Sequence, residues 1–185
     1  MTAGVATWPK DRSARGIKEI VYDEASIQQR VRELACQITE AFRGHDLVVV
    51  GILKGAYLFT CDLVRQLKLP LDLDFISMSR YTAVGGAKEV RVIKDLETSI
   101  RHKDILIIED IVDTGLTLHY LAGILRDREP RSLTICSLLD RPVLRLADIP
   151  LKYVGFHVDK EFLVGYGLDY RDRYRNLPYI ATLEI

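Results

Sequence analysis

The segment at residues 105–117, ILIIEDIVDTGLT, constrains the fold more than any other stretch of the chain. Its first four residues are apolar, which is typical of a strand buried on both faces of a parallel sheet. The acidic residues Glu109, Asp110 and Asp113 follow, and a Thr-Gly turn then opens an amphipathic pattern. We therefore expect a strand at 105–108, a loop that carries carboxylates, and a helix at about 116–127.

The turn after this strand has the features of an anion site. Gly115 lets the backbone turn tightly, so the amides of residues 114–117 can point together at the start of the helix, where the helix dipole also favours an anion. Glu109 and Asp110 offer oxygens that suit two ribose hydroxyls or a hydrated Mg²⁺, while Asp113 stays free for proton chemistry. A single acidic residue after a strand is usually only solvated, but this combination indicates a phosphate and sugar site.

The pattern resembles the phosphoribosyl pyrophosphate (PRPP) signature of type I phosphoribosyltransferases, in the E-D-I-[IV]-D-[TS]-G form of the hypoxanthine-guanine group. The resemblance implies that Glu109 and Asp110 hold the ribose and Mg²⁺ and that Asp113 acts as the general base. It also implies a 5-phosphate site formed by Asp113, Thr114, Gly115, Leu116 and Thr117. The fold implied is the α/β type I phosphoribosyltransferase fold, with a mostly parallel, doubly wound sheet and a small hood.

A second candidate ligand site is the short turn after the predicted buried strand at residues 47–53. Lys54 and Gly55 lie in this turn, at the carboxyl end of the strand. Ligands of open α/β sheets lie at such strand ends, although a lysine in a loop is more commonly just solvated. The resemblance implies that Lys54 and Gly55 bind pyrophosphate. It also implies that the peptide bond before Lys54 is often cis in the family.

A polar, glycine-containing loop is predicted at residues 80–89, after a strand at 71–79. We expect it to act as a lid that excludes water, with Ser79 and Tyr81 contacting the pyrophosphate. An ordinary mobile hairpin is the alternative. The family usually has serine directly before this tyrosine, whereas here Arg80 intervenes.

The tail from residue 159 reads DKEFLVGYGLDYRDRYRNLPYIATLEI and also resembles the hypoxanthine-guanine enzymes. By that match Phe162 stacks on the purine and the backbone at Leu163 faces the ring edge. Asp169 would bind Mg²⁺, and Arg175 would bind pyrophosphate. An aromatic face, a hard oxygen ligand and a cationic fork suit these three tasks.

Arg141 is the main departure from the family pattern, which usually has a lysine here that reads the 6-oxo group of the purine. Arginine presents a planar fork instead of a point charge, so the change is not neutral. Two alternatives stay open: Arg141 donates to the same oxygen, or it points to solvent before Pro142. A transferase that prefers xanthine or a pyrimidine is the related alternative for the whole chain.

The remaining elements alternate between strands and helices, which predicts a doubly wound α/β fold with the site at the carboxyl ends of the strands. Residues 1–15 lack periodicity and are expected to form a disordered or loosely attached arm on a single domain at 16–185. The further predicted strands are 17–21, 90–93, 133–139, 153–158 and 179–183, and the further predicted helices are 23–42 and 56–67.

The composition disfavours several classes of protein. The chain has 185 residues with 26 basic and 26 acidic side chains, so no broad basic field invites nucleic acid. It has neither an apolar run of membrane-spanning length nor a signal peptide, so we expect a cytoplasmic protein. Dinucleotide and P-loop motifs are missing from the sequence. The three cysteines, Cys36, Cys61 and Cys136, fall in apolar segments and are expected to be buried and reduced.

The resemblance implies transfer of the 5-phosphoribosyl group of PRPP to N9 of hypoxanthine or guanine. The products would be IMP or GMP and pyrophosphate, the cofactor Mg²⁺, and the assembly a homodimer or homotetramer. The competing interpretation is a non-catalytic relative that senses PRPP and regulates transcription or binds RNA. Such a protein would need a basic face.

Overall fold

The computed structural model describes residues 16–82, 88–159 and 161–184. The predicted N-terminal arm and the middle of the predicted lid lie outside these ranges. In chain order the elements are β1 (Ile17–Tyr22), α1 (Glu24–Ala41), β2 (Leu47–Leu53), α2 (Tyr57–Gln66), β3 (Asp72–Thr82), β4 (Lys88–Lys94), β5 (Asp104–Val112), α3 (Leu116–Arg126), β6 (Ser132–Asp140), β7 (Leu151–His157), β8 (Leu163–Val164) and β9 (Ile180–Leu183).

The main sheet has six strands in the order β4-β3-β2-β5-β6-β7. Five of them run parallel, and β4 pairs antiparallel with β3 at one edge. β2 has β3 on one side and β5 on the other, so the chain changes direction across the sheet at β2. Open α/β sheets bind ligands beside such a switch point, outside the carboxyl ends of the strands. In this chain those ends carry Lys54 and the acidic residues that follow Ile108.

Helices cover both faces of the sheet, because alternate residues of each buried strand point to opposite sides. On one face Val49, Leu106 and Ile108 pack in the same cluster as the apolar residues of α1 and α2. On the other face Val48 and Ile107 pack with those of α3. The doubly wound arrangement predicted from the sequence is thus confirmed.

Helix α1 shows how closely the sequence pattern predicted a helix. Its buried residues Ile27, Val31, Leu34 and Ile38 recur at helical spacing. Asp23 caps the helix, because its Oδ1 accepts a hydrogen bond from the Ser26 amide at 2.8 Å. None of the helices in the described ranges has both the length and the apolar character that crossing a bilayer requires.

The hood is a three-stranded antiparallel sheet in the order β1-β9-β8. The tail supplies β8 and β9, and β1 also belongs to this sheet, with Ile17 opposite Leu183. Tyr166 joins the hood to the helical layer, since its hydroxyl donates to Asp62 Oδ2 of α2 at 2.7 Å. The first and last strands of the described chain therefore pair in one small sheet.

Several boundaries differ from the sequence predictions. Strand β5 continues to Val112, so Glu109 and Asp110 belong to the strand rather than to a loop. Strands β3 and β4 extend through Thr82 and from Lys88, so the predicted lid loop is shorter than 80–89.

The burial predicted for the cysteines is correct only for Cys136. Cys36 and Cys61 are exposed, which corrects the expectation for both. They lie on α1 and α2 beside the buried residues Ala35 and Thr60, but off the apolar face of each helix. An apolar segment therefore does not imply burial of every residue within a helix.

Candidate active site

A cavity of about 450 Å³ opens at the carboxyl ends of β2, β3 and β5. Its walls come from those three strands, from the start of α3 and from the tail. It brings together seven residues that the sequence analysis selected: Glu109, Asp110, Asp113, Thr114, Gly115, Thr117 and Asp169.

The turn that the sequence predicts as a phosphate site lies at the start of α3. Gly115 is the N-cap, with φ +78°, a left-handed conformation that glycine adopts without a steric penalty. The turn is also held from behind, because the Thr114 carbonyl accepts hydrogen bonds from the amides of Leu146 and Ala147 at 2.9 and 3.1 Å. Leu116 is exposed and is not among the residues that line the cavity, and its amide donates to Thr114 Oγ1 at 3.5 Å.

Glu109 and Asp110 stand side by side at the end of β5. Burial raises the pKa of the Asp110 carboxyl above its ordinary value, although hydrogen bonds that involve Glu109 and the Ile111 amide oppose the shift. A pair of hydroxyl donors or a cation bound here would replace the lost hydration of these oxygens. The donor chemistry therefore fits a ribose diol or Mg²⁺.

Within the described ranges, no group of three or more His, Cys, Asp or Glu side chains is arranged to hold a metal ion. Mg²⁺ commonly binds through one or two carboxylates together with substrate phosphates and water. The predicted ligands Glu109, Asp110 and Asp169 therefore suit a metal that enters with a phosphorylated substrate rather than a closed protein cage.

The turn after β2, which contains Lys54 and Gly55, lies directly against the carboxylate of Asp110. A Cβ added at Gly55 would lie 1.6 Å from Asp110 Oδ2, and one added at Gly167 would lie 2.0 Å from the Gly55 carbonyl oxygen. The peptide bond between Leu53 and Lys54 is cis. The turn predicted to bind pyrophosphate, a carboxylate predicted to bind the ribose, and the tail thus meet at Gly55.

The two predicted pyrophosphate cations are brought together by a residue that the sequence analysis missed. Asp172 Oδ1 lies 3.2 Å from Lys54 Nζ and 3.4 Å from Arg175 Nη2. Hydrogen bonds from Lys54 and then Arg175 lower the pKa of Asp172. Arg175 is held further by Asp169 Oδ1 at 2.7 Å and by the Gly167 carbonyl at 2.7 Å. The only sequence signal for Asp172 is its place midway between Asp169 and Arg175.

A smaller cavity of about 210 Å³ adjoins the large one and contains the predicted purine residues Arg141, Phe162 and Leu163. The two cavities share Asp110, Ile111, Asp113 and Asp169. The ring of Phe162 is 41% exposed and packs edge-on against Tyr170, with 5.6 Å between the ring centroids. One face of an aromatic side chain is therefore available to a planar ligand.

Arg141 lines this smaller cavity and is only 8% exposed, so the alternative in which it points to solvent is wrong. Its Nη1 donates to Asp113 Oδ1 at 2.8 Å, and its Nη2 donates to the Glu161 carbonyl at 2.7 Å. A planar fork makes both contacts at once. Arg141 thereby connects the predicted general base to the residue that precedes Phe162.

The predicted lid residues are only partly described. Ser79 lies in β3 opposite Arg91 of β4 and is partly buried. Among the described residues, β3 contributes Met78 to the large cavity rather than Ser79. The backbone of Tyr81 continues the strand opposite Glu89, but its side chain lies outside the described part of the structure. The contacts expected of Ser79 and Tyr81 remain predictions.

Comparisons with known proteins agree with this geometry. The family model of the phosphoribosyl transferase domain matches residues 18–171. A hypoxanthine phosphoribosyltransferase from Salmonella typhimurium is 46% identical over 168 residues, which cover 89% of this chain and 94% of the relative. A hypoxanthine-guanine phosphoribosyltransferase from Staphylococcus aureus is 49% identical over 171 residues, which cover 91% and 94%.

Solved structures give the same answer. The crystal structure of a hypoxanthine phosphoribosyltransferase from Staphylococcus aureus matches with a TM-score of 0.89 at 47% identity, covering 94% of this chain and 95% of that one. This chain therefore belongs to the phosphoribosyl transferase family and, within it, to the hypoxanthine and hypoxanthine-guanine phosphoribosyltransferases.

Proposed function

We propose that this protein transfers the 5-phosphoribosyl group of PRPP to N9 of a 6-oxopurine, hypoxanthine or guanine. The products are pyrophosphate and IMP or GMP, and the reaction serves purine salvage in the cytoplasm. The observation that carries the proposal is the position of Asp113. This carboxylate lines both the cavity that contains the phosphate turn and the cavity that contains Phe162 and Arg141.

The larger cavity takes PRPP. Its 5-phosphate binds the turn at residues 113–117, where backbone amides and the dipole of α3 favour an anion. The ribose hydroxyls donate to Glu109 and Asp110, and the pyrophosphate lies beside Lys54, Gly55 and Arg175. The cationic side chains of Lys54 and Arg175 stabilise the negative charge that grows on pyrophosphate as its bond to C1 of the ribose breaks.

Asp169, Glu109 and Asp110 are the residues that would hold Mg²⁺. Their hard oxygen atoms suit this ion, and Asp169 lies at the boundary of the two cavities. When bound, Mg²⁺ supplies positive charge that neutralises the departing pyrophosphate.

The smaller cavity takes the base. Phe162 stacks on the purine ring, and the backbone at Leu163 faces the ring edge. The guanidinium of Arg141 has donors only, so it favours an exocyclic oxygen over the amino group that adenine carries at the same position. Arg141 thus selects 6-oxopurines in the place of the usual lysine.

Asp113 accepts the imidazole proton of the purine while N9 attacks C1 of the ribose. Arg141 engages Asp113 Oδ1 at 2.8 Å, which leaves Oδ2 as the acceptor for this proton. The deprotonated ring is the stronger nucleophile. The bond that breaks joins C1 to a pyrophosphate oxygen, and the electron pair leaves with pyrophosphate.

A spectrophotometric assay with PRPP, Mg²⁺ and one of five bases at a time tests the proposal. The bases are hypoxanthine, guanine, xanthine, adenine and uracil. We expect turnover of hypoxanthine or guanine and none of adenine or uracil. Asp113→Asn keeps the shape of the side chain but cannot accept the proton as a general base. We therefore expect kcat to fall about 10²- to 10⁴-fold while PRPP still binds. The control Asp127→Asn removes the same charge at the far end of α3 and keeps wild-type activity.

The other outcomes change the assignment in defined ways. Turnover of xanthine or uracil alone would mean that Arg141 redirects the base pocket. Tight PRPP binding without turnover of any base would favour the sensor interpretation, and titration with RNA and DNA would then test it directly. Light scattering on the same sample gives the oligomeric state, for which we propose a homodimer or homotetramer.

A further inference from the structure

Asp172 provides a carboxylate at the place where the proposed function puts pyrophosphate. One oxygen, Oδ1, lies 3.2 Å from Lys54 Nζ and 3.4 Å from Arg175 Nη2. Lys54 follows β2 and Arg175 lies in the tail. These two cations, which are 118 and 3 positions from Asp172 in the sequence, therefore converge on one carboxylate. An oxygen shared by two cations is the arrangement that a phosphate oxygen would adopt between them.

The backbone conformation directs Asp172 to this position. Arg171 and Asp172 both have positive φ, +53° and +60°, at a turn whose Asp172 side chain contacts Lys54. The Asp172 amide also donates to Asp169 Oδ2 at 2.8 Å. Aspartate tolerates the left-handed region better than most residues, so the turn holds its carboxylate near the cations without help from the core.

The contacts of Asp172 can open without disturbing the fold. Its side chain is 72% exposed and that of Lys54 is 70% exposed, and exposed ion pairs contribute little to stability. Arg175 stays in place when Asp172 leaves, because Asp169 and the Gly167 carbonyl each hold it at 2.7 Å. A stronger anion can therefore take the position of Asp172.

We infer that Asp172 is an internal competitor of pyrophosphate, whose carboxylate pairs with Lys54 and Arg175 in the free enzyme and returns to them when pyrophosphate leaves. The inference rests on the proposed function, which assigns those cations to pyrophosphate. A dianionic phosphate group displaces the carboxylate on binding, since it brings more charge and more acceptor oxygens. The competition weakens pyrophosphate binding and so limits inhibition by this product.

The test is to measure the Kd of pyrophosphate with Mg²⁺ by calorimetry, and its Ki against PRPP in the forward assay, for wild type and two variants. Asp172→Asn keeps the side-chain shape and suits the positive φ, while Asp172→Gly removes the side chain at a φ that glycine accepts freely. Without the competing charge, we expect both constants to fall about three- to tenfold in both variants.

Two controls separate this effect from general ones. Asp127→Asn changes the net charge by the same amount, far from Lys54, and leaves the Kd of pyrophosphate unchanged. The Kd of IMP also stays unchanged in the Asp172 variants, because its phosphate binds the turn before α3.

Suppose that the wild-type protein turns over its base but both variants bind pyrophosphate no more tightly than wild type. That result would overturn the inference and make Asp172 a residue that positions the cations. Failure of the proposed function looks different. In that case wild type neither binds pyrophosphate nor turns over any base, and the competition has no ligand.

Discussion

The backbone of Gly55 lies against the carboxylate of Asp110, since a Cβ at residue 55 would lie only 1.6 Å from Asp110 Oδ2. Gly55 lies two residues after β2, and Asp110 lies near the carboxyl end of β5, the parallel neighbour of β2 in the sheet. Only a residue without a side chain lets the two strand ends approach this closely. The contact therefore sets the distance between the proposed pyrophosphate and ribose subsites.

Gly55→Ala should impair catalysis through this contact. The added methyl group forces Asp110 or the turn after β2 to move by about 1 Å or more, and a displacement of that size in an active site costs about a hundredfold in kcat/KM. Steady-state kinetics with PRPP as the varied substrate measures the loss. Thermal unfolding of the same sample shows whether the protein remains folded.

Gly123→Ala is the matched control for this change. A Cβ at Gly123 meets no atom within 4 Å, and alanine favours the helix by about 1 kcal/mol relative to glycine. We expect wild-type kcat/KM and slightly raised stability. Equal activity of Gly55→Ala and Gly123→Ala would contradict the role given to the Gly55 contact.

The segment at residues 105–117 shows how far the sequence could predict the site. The motif predicts that Asp113 and Gly115 share one site, and both line the same cavity. This prediction is correct because the order strand, turn, helix fixes their relative positions locally. The end of the strand was wrong, since consecutive carboxylates were interpreted as the start of a loop. In the structure Glu109 stays in register with Ser137, and Val112 with Asp140, so pairing with β6 decides where β5 ends.

The contact of Asp172 and the pairing of β1 within the hood could not be predicted in the same way. The contact between Lys54 and Asp172 depends on the turn at 171–172, whose positive φ angles have no signal in a stretch without glycine. Pairing of Ile17 with Leu183 joins the two ends of the described chain. Such contacts arise from tertiary folding, which local periodicity does not contain.

Arg141→Lys and Arg141→Leu should separate the charge of Arg141 from its shape. An ammonium group keeps a donor for the 6-oxo group but cannot maintain the planar fork between Asp113 and the Glu161 carbonyl. We expect Arg141→Lys to keep 6-oxopurine turnover with less than about a tenfold loss. Arg141→Leu removes every donor and should lower kcat/KM for hypoxanthine about tenfold to a hundredfold.

These values come from kcat/KM for the five bases, with Arg126→Leu at the exposed end of α3 as the control. Adenine should remain a poor substrate for Arg141→Lys, because a lysine also has donors only. Wild-type kcat/KM for hypoxanthine in a folded Arg141→Leu protein would mean that Arg141 does not contact the base.

Asp74 of β3 anchors the segment that follows β4 and is only 7% exposed. Its Oδ2 accepts hydrogen bonds from the amides of Glu97 and Thr98 at 2.7 and 2.8 Å, and its Oδ1 accepts one from the Phe75 amide at 2.7 Å. Asp74→Asn replaces one acceptor oxygen by a donor, which leaves at least one buried amide without a partner. We expect the free energy of unfolding at pH 7 to fall by about 1–3 kcal/mol.

The pH dependence of this loss provides a sharper test. Burial alone would raise the pKa of Asp74, but hydrogen bonds from Thr98, Phe75, Glu97 and Lys94 outweigh it and hold the pKa below 3.8. Because the folded-state pKa is the lower one, the stabilisation is fully present above pH 3.8 and is lost as the pH falls through the folded-state value. Urea unfolding from pH 7 down to pH 3 should therefore show wild type and Asp74→Asn converging only below about pH 4. The control Asp72→Asn removes an exposed charge from the same strand and should lower the free energy of unfolding by less than about 1 kcal/mol. If the stability difference between wild type and Asp74→Asn stays constant down to pH 3, the hydrogen bonds to Asp74 do not favour its ionised form.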